Sequence, residues 1–490
     1  MFFYHRFLIL PDNGKAFEET VGFLLLGGQK YVTERCKTMM NETPEKVLKE
    51  IFSQRSRFGR WLAIEAALAK AQAKVGDIPQ EIAEEIVQKA KLELLDFENY
   101  DEMYAKTGHP MVAFLRTIQP QMGDAGQYLH IGPTTHDIID TGTILALQET
   151  YNIVFQSLRR IEEDLLGLAD RYKDTLMAAR THNVQAVPIT FGFKAAIMAA
   201  EVRRCIERLL EGKDRVLTLQ LSGAGGTMAA FGRNAREIQR LVAADLGLNT
   251  PEIAWHAARD RLVEFMNLLT LIGLALGRIA QEVYLLMATE VGEIYEPWET
   301  GIVGSSCMPH KINPTISQNI ISLARKIRYD AFLIAEVGMV DHEWNLEHFL
   351  SGREKVEEAC INTGEMLSFS ENLIGNMSVN TENMARNLNV LKGLMQSENV
   401  MLALGEKIGK MHAHEIINED ATKALRSELS FTETLMEDER VNPYLTSAEI
   451  DSMLDPKGHT GLSTEFASEI VANGYEKRKN DPDRIEIQTQ

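Results

Sequence analysis

Apolar residues recur at alternating spacings of three and four positions through the stretch 144–168. The positions are Ile144, Leu147, Tyr151, Val154, Leu158, Ile161, Leu165 and Leu168. This repeat spans more than three heptads and predicts a long helix that packs along one seam against other helices. Two more long helices are predicted at 189–219 and 257–290, and the second is apolar on nearly every side, so other helices must surround it. We therefore predict an all-α fold around a central bundle of long helices, assembled with further copies of itself.

The chain has 490 residues, which is too long for one ordinary hydrophobic core. We predict an N-terminal extension at 1–42, an N-terminal helical domain at 43–141, a central helical bundle domain at 142–375 and a C-terminal helical domain with its tail at 376–490. The apolar runs of the extension are too short for a signal peptide or a membrane span. The charged residues from 477 onward predict a loose tail.

Composition narrows the class of partner. The formal net charge of -19 argues against nucleic acid, which needs a clustered basic face. The four cysteines are widely spaced and form no CxxC pair, which favours a reducing cytoplasm and predicts neither a zinc site nor a disulfide framework. We expect a cytoplasmic protein that binds neither nucleic acid nor a membrane.

The stretch 304–314, with the sequence GSSCMPHKINP, combines two serines, a lysine and an asparagine within 11 residues. Pro314 suits the first position of a helix, and Asn313 is a favourable N-cap residue. The N–H groups at such a helix start would lie beside Lys311 and could bind a carboxylate. For the Asn-Pro pair alone, an ordinary helix entry with an exposed lysine is the preferred interpretation, but the whole 11-residue combination favours a functional site.

Three earlier stretches are also rich in polar residues, namely 106–110, 130–141 and 180–185. Each precedes a predicted helix, so each could present side chains at an end of the bundle. Taken one at a time they have simpler interpretations. His109 could be a loop residue, Thr134 and Thr135 could cap a helix, and His136, His256, His342 and His348 are interpreted as structural.

Together these motifs resemble one family. The stretch 304–314 matches the GSSxMPxKxNP signature of the fumarase/aspartase superfamily, whose members eliminate an amine, water or a similar group from a succinyl skeleton. The stretches 180–192 and 130–141 resemble the RTHxxxAxPxTFG and HxGxTSxDxxDT motifs of adenylosuccinate lyases, and 107–114 is similar to their TxHDVVAF segment. The resemblance extends over about 51–474. It implies a three-domain fold, a small dicarboxylate-containing substrate, no metal or other cofactor, and a homotetramer whose active sites draw on three subunits.

Roles follow from the resemblance, position by position. Ser305 would be the general base, His182 would protonate the leaving group, and His109, together with His130, would orient the substrate or the leaving group. The remaining matched positions would bind the substrate, with the threonines holding its carboxylates. They are Thr134, Thr135, Thr181, His130, Ser306, Met308, Lys311, Asn313, Gln318 and Arg353.

The chain also departs from the adenylosuccinate lyase pattern. Gln318 stands where the family pairs a glutamate with the catalytic histidine, which predicts a less basic leaving group or a weaker role for His182. Trp344 and Phe349 replace the arginine and serine of a phosphate site, so that only Arg353 of that site is matched, and the chain lacks an Arg-Tyr pair at the start of the matched region. Gly301 and Gly304 predict a signature loop that closes over bound substrate.

Three functions remain open at this stage. The first is a lyase that eliminates an amine or related group from an N- or O-substituted succinate and releases fumarate. The second is a carboxymuconate cycloisomerase, because the sequence around Arg259-Asp260-Arg261 resembles that of carboxymuconate cycloisomerases. The third is a non-catalytic helical scaffold, although packing alone does not require Ser305, Lys311, Asn313 and His182 together.

Overall fold

The computed structural model describes residues 42–298 and 304–487. Within these two ranges it contains 17 α-helices and two small antiparallel sheets, which confirms the all-α prediction. The predicted extension up to residue 41 and Gly301 lie outside the described residues, as do the side chains of His348 and Phe349.

The N-terminal part packs short helices around an aromatic core. Phe58, Trp61 and Phe114 are fully buried, and the rings of Trp61 and Phe114 meet edge to face at 5.3 Å. The first turns of the long helix that follows also contribute to this core through Ile138 and Ile139. The helices are α1 (Pro44–Ile51), α2 (Gln54–Lys74), α3 (Gln80–Lys89), α4 (Phe97–Thr107) and α5 (Pro110–Ile118), with 3-10 turns at Leu92–Leu94 and Gln119–Tyr128.

Five long helices form the central bundle. They are α6 (Thr135–Arg171), α7 (Phe191–Val216), α9 (Asp260–Leu286), α10 (Thr315–Val337) and α11 (Leu346–Asn376), and the shorter α8 (Ala235–Leu246) follows a 3-10 turn at Ala229–Asn234. The α6 helix packs on α7 and α11, and α9 packs on α7, α10 and α11. The eight seam residues predicted between 144 and 168 lie on α6 and face this core.

The helix predicted at 257–290 is the shorter α9, of 27 residues. It is the one helix in the described ranges that is long and apolar enough to cross a membrane, but more than half of it is buried inside the bundle. Apolar side chains on α9 and on the neighbouring α10 remain exposed. Leu274 is 51 % exposed on α9, and Phe332 is 66 % exposed on α10.

A β-hairpin precedes the helix predicted at 189–219 and includes its first two residues. Strand β1 (Leu176–Thr181) pairs antiparallel with β2 (Val184–Thr190), and α7 begins only after Thr190, whose side chain accepts the Phe193 N–H. A second small sheet pairs β3 (Ile294–Tyr295) with β4 (Ser378–Val379). Residue pairs such as Val187-Pro188 suit an extended strand better than a helix, because proline lacks the N–H that a helix interior requires.

The C-terminal part is a set of short helices and one longer helix. Residues from 477 onward were predicted to be loose, and this prediction is wrong up to residue 487, because the last helix continues to Lys479 and the residues after it are packed. Ile485 is buried against α6, where its N–H and C=O both bond to the side chain of Asn152. The helices are α12 (Thr381–Leu388), α13 (Ser397–Ile408), α14 (Lys410–Leu425), α15 (Phe431–Glu437), α16 (Ser447–Met453) and α17 (Ser463–Lys479), with 3-10 turns at Leu394–Gln396 and Pro456–His459.

The bundle has two well-separated ends. The 37 residues of α6 make it about 55 Å long at 1.5 Å per residue. Its first turns lie beside the start of α9, where Arg259 pairs with Asp140 at 2.9 Å. Its last residues lead into the hairpin, which lies beside the segment after α9 because Arg180 pairs with Glu293. We call these the α6-start end and the hairpin end.

Candidate active site

The signature loop at 304–314 is folded on itself at the hairpin end. The Asn313 side chain donates to the Gly304 carbonyl at 2.5 Å. A Cβ at Gly304 would lie 2.2 Å from the Lys311 carbonyl oxygen, so only glycine fits there. Ser305 Oγ accepts backbone N–H groups from Cys307 at 3.3 Å and Met308 at 3.1 Å. Two donors aimed at one hydroxyl oxygen would stabilise negative charge on it.

The start of α10 differs from the prediction. Asn313 does not cap the helix, because its amide holds Gly304 instead. The cap is the buried carboxylate of Glu296, which accepts the N–H groups of Ile316 at 2.9 Å and Ser317 at 2.7 Å. The helix N-terminus predicted to bind a substrate carboxylate is therefore already occupied. Lys311 is exposed on the loop and accessible to an incoming anion.

At the α6-start end, Asp137 organises the backbone. It is fully buried, and its carboxylate accepts the N–H groups of Thr134, Ser222 and Gly223, each at 2.8 Å. His256 Nε2 lies 3.1 Å from the same carboxylate. Burial opposes the charged form of Asp137, but the bonds from His256 and the backbone outweigh it and lower the pKa of Asp137. Thr134 and Thr135 are thereby fixed at the entry to α6, with both residues half-buried.

His130 is held by Glu65 from α2. Glu65 accepts the backbone N–H of His130 at 3.0 Å, and its other oxygen lies 2.7 Å from His130 Nδ1. Burial favours the neutral ring, but the hydrogen bond and charge of Glu65 outweigh burial and raise the pKa of His130. The backbone of His130 is in the left-handed region, at φ 60°. Glu65 therefore fixes both the orientation and the charge of this ring, and it leaves Nε2 as the remaining ring nitrogen.

The raised pKa of His130 predicts a pH-dependent contribution to stability. Replacing Glu65 by glutamine removes the charge that favours the protonated ring, so wild type should be more stable than Glu65→Gln. Because the folded pKa lies above the unfolded one, this advantage is full below about pH 6.5 and is lost as the pH rises through the folded pKa. Urea unfolding of both proteins across this pH range measures it.

The control for that measurement is Glu81→Gln, which removes an exposed carboxylate from the neighbouring α3. It should leave the pH dependence of the unfolding free energy as in wild type. An advantage of wild type over Glu65→Gln that grows with rising pH would contradict the assignment.

The hairpin presents His182 at its tip. His182 and Asn183 form the two-residue turn with φ 51° and 65°, which matches the type I′ geometry of tight hairpins. Arg180 makes two bonds to the fully buried Glu293, at 2.9 and 2.7 Å, and Asn387 of α12 also donates to Glu293 at 2.7 Å. The turn is anchored through this buried acid, and the side chains of Thr181 and His182 remain exposed.

His109 caps α5, and its Nδ1 accepts the Val112 N–H at 3.3 Å. This bond places the proton of the neutral ring on Nε2. His136 packs on Trp344, with ring centroids 4.1 Å apart, and burial lowers the pKa of His136 to about 4. His136 and Trp344 therefore form a neutral aromatic pair at the first turn of α6.

Arg353 lies on α11 in a narrow cavity between α2, α6 and α11. Its Nε is 3.5 Å from Glu357, which also receives two bonds from Arg57 of α2 at 2.9 and 2.8 Å. Arg60 and Trp61 complete the wall on the α2 side. Arg353 thus faces a partner carboxylate from its own helix.

Comparison with known proteins agrees with the motifs. A family model described as "Lyase" matches residues 40–328, more than half of the chain, and one described as "Adenylosuccinate lyase C-terminus" matches residues 393–470. The chain belongs to the fumarase/aspartase superfamily. It is 38 % identical to N-acetyl-S-(2-succino)cysteine lyase of Enterococcus italicus, over 87 % of this chain and 93 % of that protein. It is 36 % identical to adenylosuccinate lyase of Methanocaldococcus jannaschii, over 88 % and 93 %.

A solved structure gives the same result. The 3-carboxy-cis,cis-muconate lactonizing enzyme of Pseudomonas putida superposes with a TM-score of 0.82 and 29 % identity, covering 88 % of this chain and 97 % of that one. Relatives that share this fold are named lyases, and the chain is a lyase of the same superfamily. The third alternative, a non-catalytic helical protein, is therefore dropped.

Within one chain of this superfamily member, the candidate residues fall into two groups at opposite ends of the bundle. His130, Thr134, Thr135 and Arg353 lie at the α6-start end. The hairpin end carries His182 and Thr181, together with Ser305, Ser306, Met308, Lys311, Asn313 and Gln318 on the signature loop and the first turns of α10. His109 belongs to the N-terminal helices that share a core with the start of α6.

Several residues that position the superfamily motifs were not singled out from the sequence. Asp137 had a signal, since it follows Thr134 by three positions and forms a capping box. The tight turn at His182-Asn183 also had one, because asparagine tolerates positive φ. No sequence signal pointed to Glu65, Glu293 or Glu296. Each of these residues bonds to a partner that is distant in the sequence, or lies outside any recognisable motif.

Proposed function

We propose that this superfamily lyase cleaves an S-(2-succino) thioether into fumarate and a thiol, with Ser305 as the general base. The observation that carries the proposal is the pair of backbone N–H groups aimed at Ser305 Oγ. Two donors stabilise the hydroxyl oxygen as an alkoxide, which is the form that accepts a proton from carbon. The thioether substrate is supported by the likeness to a protein named for that reaction.

The reaction divides into proton removal and bond cleavage. Ser305 would take the proton from the carbon next to one carboxylate, and the electron pair left behind develops charge on that carboxylate. Lys311, exposed on the same loop, would offset this charge. The carbon–carbon double bond then forms as the carbon–sulfur bond breaks, and the electron pair of that bond leaves with sulfur, which takes up a proton.

Asn313 has a different role from the one first expected. Its amide donates to Gly304 and closes the signature loop, so we assign it to loop positioning rather than to the substrate. Thr134 and Thr135, which Asp137 fixes in place, would be supplied by another subunit. There they would hold a carboxylate of the substrate.

A thiol leaving group fits the neutral Gln318. A thiolate has a conjugate acid with a pKa of about 8.5, so it leaves without full protonation, whereas an amine needs an acid in the transition state. Gln318 cannot stabilise an imidazolium as a carboxylate would. His182→Gln is therefore expected to reduce kcat by about tenfold or less on the thioether. A loss of 1,000-fold or more, measured by fumarate release, would contradict this weaker role.

We also propose that the active site is shared between subunits of a homotetramer. Thr134 and His182 are at opposite ends of a helix about 55 Å long, so one chain cannot bring them to one succinyl group. Exposed apolar residues such as Leu274 and Phe332 on α9 and α10 support burial of these faces against further copies.

A substrate panel tests the function. The purified protein is incubated with N-acetyl-S-(2-succino)cysteine, adenylosuccinate, argininosuccinate and 3-carboxy-cis,cis-muconate, and fumarate and lactone are quantified. We expect fumarate from the thioether with kcat/KM at least about 100-fold above that for adenylosuccinate. Lactone as the main product would favour the cycloisomerase alternative, for which the structural likeness is the supporting observation. Preference for adenylosuccinate would overturn the thioether proposal.

A further inference from the structure

Two of the helices that line the cavity around Arg353 also position residues of the candidate site. On α6, Thr135 is followed on the same face by Ile139, Gly142 and Ala146, at spacings of four, seven and eleven residues. On α2, Glu65, which holds His130, is followed at four-residue steps by Trp61 and Arg57. The cavity therefore begins one helical turn from the residues proposed to hold the succinyl group. Arg60 and Arg57 lie five and eight residues from Glu65 along α2, or about 7.5 and 12 Å, and Arg353 lines the cavity from α11.

The cavity carries an excess of positive charge that is partly neutralised from within. Three arginines line it, Arg57, Arg60 and Arg353. Glu357 engages two of them, through two bonds with Arg57 and a 3.5 Å approach to Arg353. Glu149 stands 3.8 Å from Arg60. Burial lowers the pKa of Arg353, and the nearby charge of Arg57 lowers it further.

We propose that Glu357 is a specificity determinant that closes this cavity to the anionic end of a long leaving group. The inference rests on the proposed function, because it concerns which leaving groups the same site accepts. Glu357 already engages the guanidinium groups of Arg57 and Arg353. Its carboxylate therefore competes directly with a phosphate or carboxylate of the ligand for these groups. A phosphate that enters the cavity would also be repelled by the negative charge of Glu357. The phosphate cannot displace Glu357, because this residue is part of α11.

The geometry separates leaving groups by length. A small thiol such as an N-acylated cysteine ends close to the succinyl group and does not reach Arg57, about 12 Å from Glu65 along α2, or Arg353, which shares Glu357 with Arg57. A leaving group with a phosphate at that distance would reach them and would need them free of Glu357. Glu357 thus leaves the first class unaffected and disfavours the second.

The test measures binding of inorganic phosphate by calorimetry to the full-length protein. The variant is Glu357→Gln, which keeps the size of the side chain and removes its charge. The control is Glu371→Gln, which removes the same charge from the same helix where Glu371 pairs with Arg160, away from the cavity. We expect Glu357→Gln to bind phosphate at least tenfold more tightly than wild type and the control to match wild type. Should Glu357→Gln fail to fold, Glu357→Met removes the charge with a similar volume and gives the same comparison.

Equal phosphate affinity in wild type and Glu357→Gln would overturn the proposal, and so would equal tightening in the control. Activity provides a second readout. Phosphate should inhibit Glu357→Gln at concentrations at least tenfold lower than wild type, while kcat/KM for the small thioether stays within about threefold. Calorimetry requires no turnover, so the two proposals are tested separately. Failure of the thioether assay would refute the proposed substrate. The phosphate affinities alone decide the role of Glu357.

Discussion

Replacing Ser305 by alanine is expected to lower kcat by about 10³–10⁴-fold on whichever succinyl substrate the protein turns over. The variant lacks the oxygen that accepts two backbone N–H groups and that would receive the proton from carbon. KM should change little, because the hydroxyl acts on the proton rather than on the carboxylates. Steady-state fumarate release measures both constants, and thermal unfolding confirms that the fold is intact.

The matched control is Cys307→Ser in the same loop. Its backbone N–H still donates to Ser305, and its side chain is exposed, so kcat should remain within about threefold of wild type. If Ser305→Ala kept more than a tenth of the wild-type kcat, Ser305 would not be the base. If both variants lost activity equally, the loop rather than the hydroxyl would be responsible.

Replacing Asp137 by alanine is expected to lower the free energy of unfolding by about 3–5 kcal/mol. Three backbone N–H groups and His256 would lose their shared acceptor in the interior. Each buried donor left without a partner costs about 1–3 kcal/mol, partly offset by relaxation of the loop. The turn at Ser222-Gly223 and the start of α6 should loosen together, so activity should fall as well.

Urea denaturation at pH 7 measures this loss as a lower midpoint at an unchanged slope. Asp124→Ala removes an exposed aspartate from the same half of the molecule and should change the unfolding free energy by less than about 0.5 kcal/mol. Equal midpoints for the two variants would show that Asp137 does not carry the network.

The helical bundle was predictable from the sequence because the seam at 144–168 repeats with helical periodicity for more than three heptads. The hairpin was not predicted, since its strands are short and lie between two long helices whose apolar patterns dominate the neighbourhood. The cap of α10 was assigned to Asn313 by local propensity. The fold overrides this propensity because Glu296 reaches the same N–H groups from the preceding segment.

The candidate site was predictable as a set of motifs but not as an arrangement. Motif spacing identified Ser305, Lys311 and His182, because their neighbours along the chain form recognisable patterns. Sequence order does not reveal that His130 depends on Glu65, which is 65 positions away, or that Arg353 faces Glu357 and Arg57 in a cavity. Charged partners of this kind are set by tertiary packing, which the order of residues along the chain does not reveal.

The account as a whole requires that residues from both ends of the bundle act on one substrate, and therefore that different chains supply them. His130→Ala and Ser305→Ala place one defect at each end. Ser305→Ala alone should keep less than about 1 % of wild-type kcat, and His130→Ala should be strongly impaired because it lacks a residue expected to bind the substrate. When the two chains are unfolded together and refolded as mixed oligomers, about a quarter of the sites should receive neither defect.

The decisive measurement is the rate of fumarate release by those mixed oligomers, separated from homo-oligomers through two different affinity tags. We predict recovery of about a quarter of the wild-type rate per site. No recovery in mixed oligomers of verified composition would show that each chain completes its own site, and it would contradict a shared active site with Ser305 and His130 from different subunits.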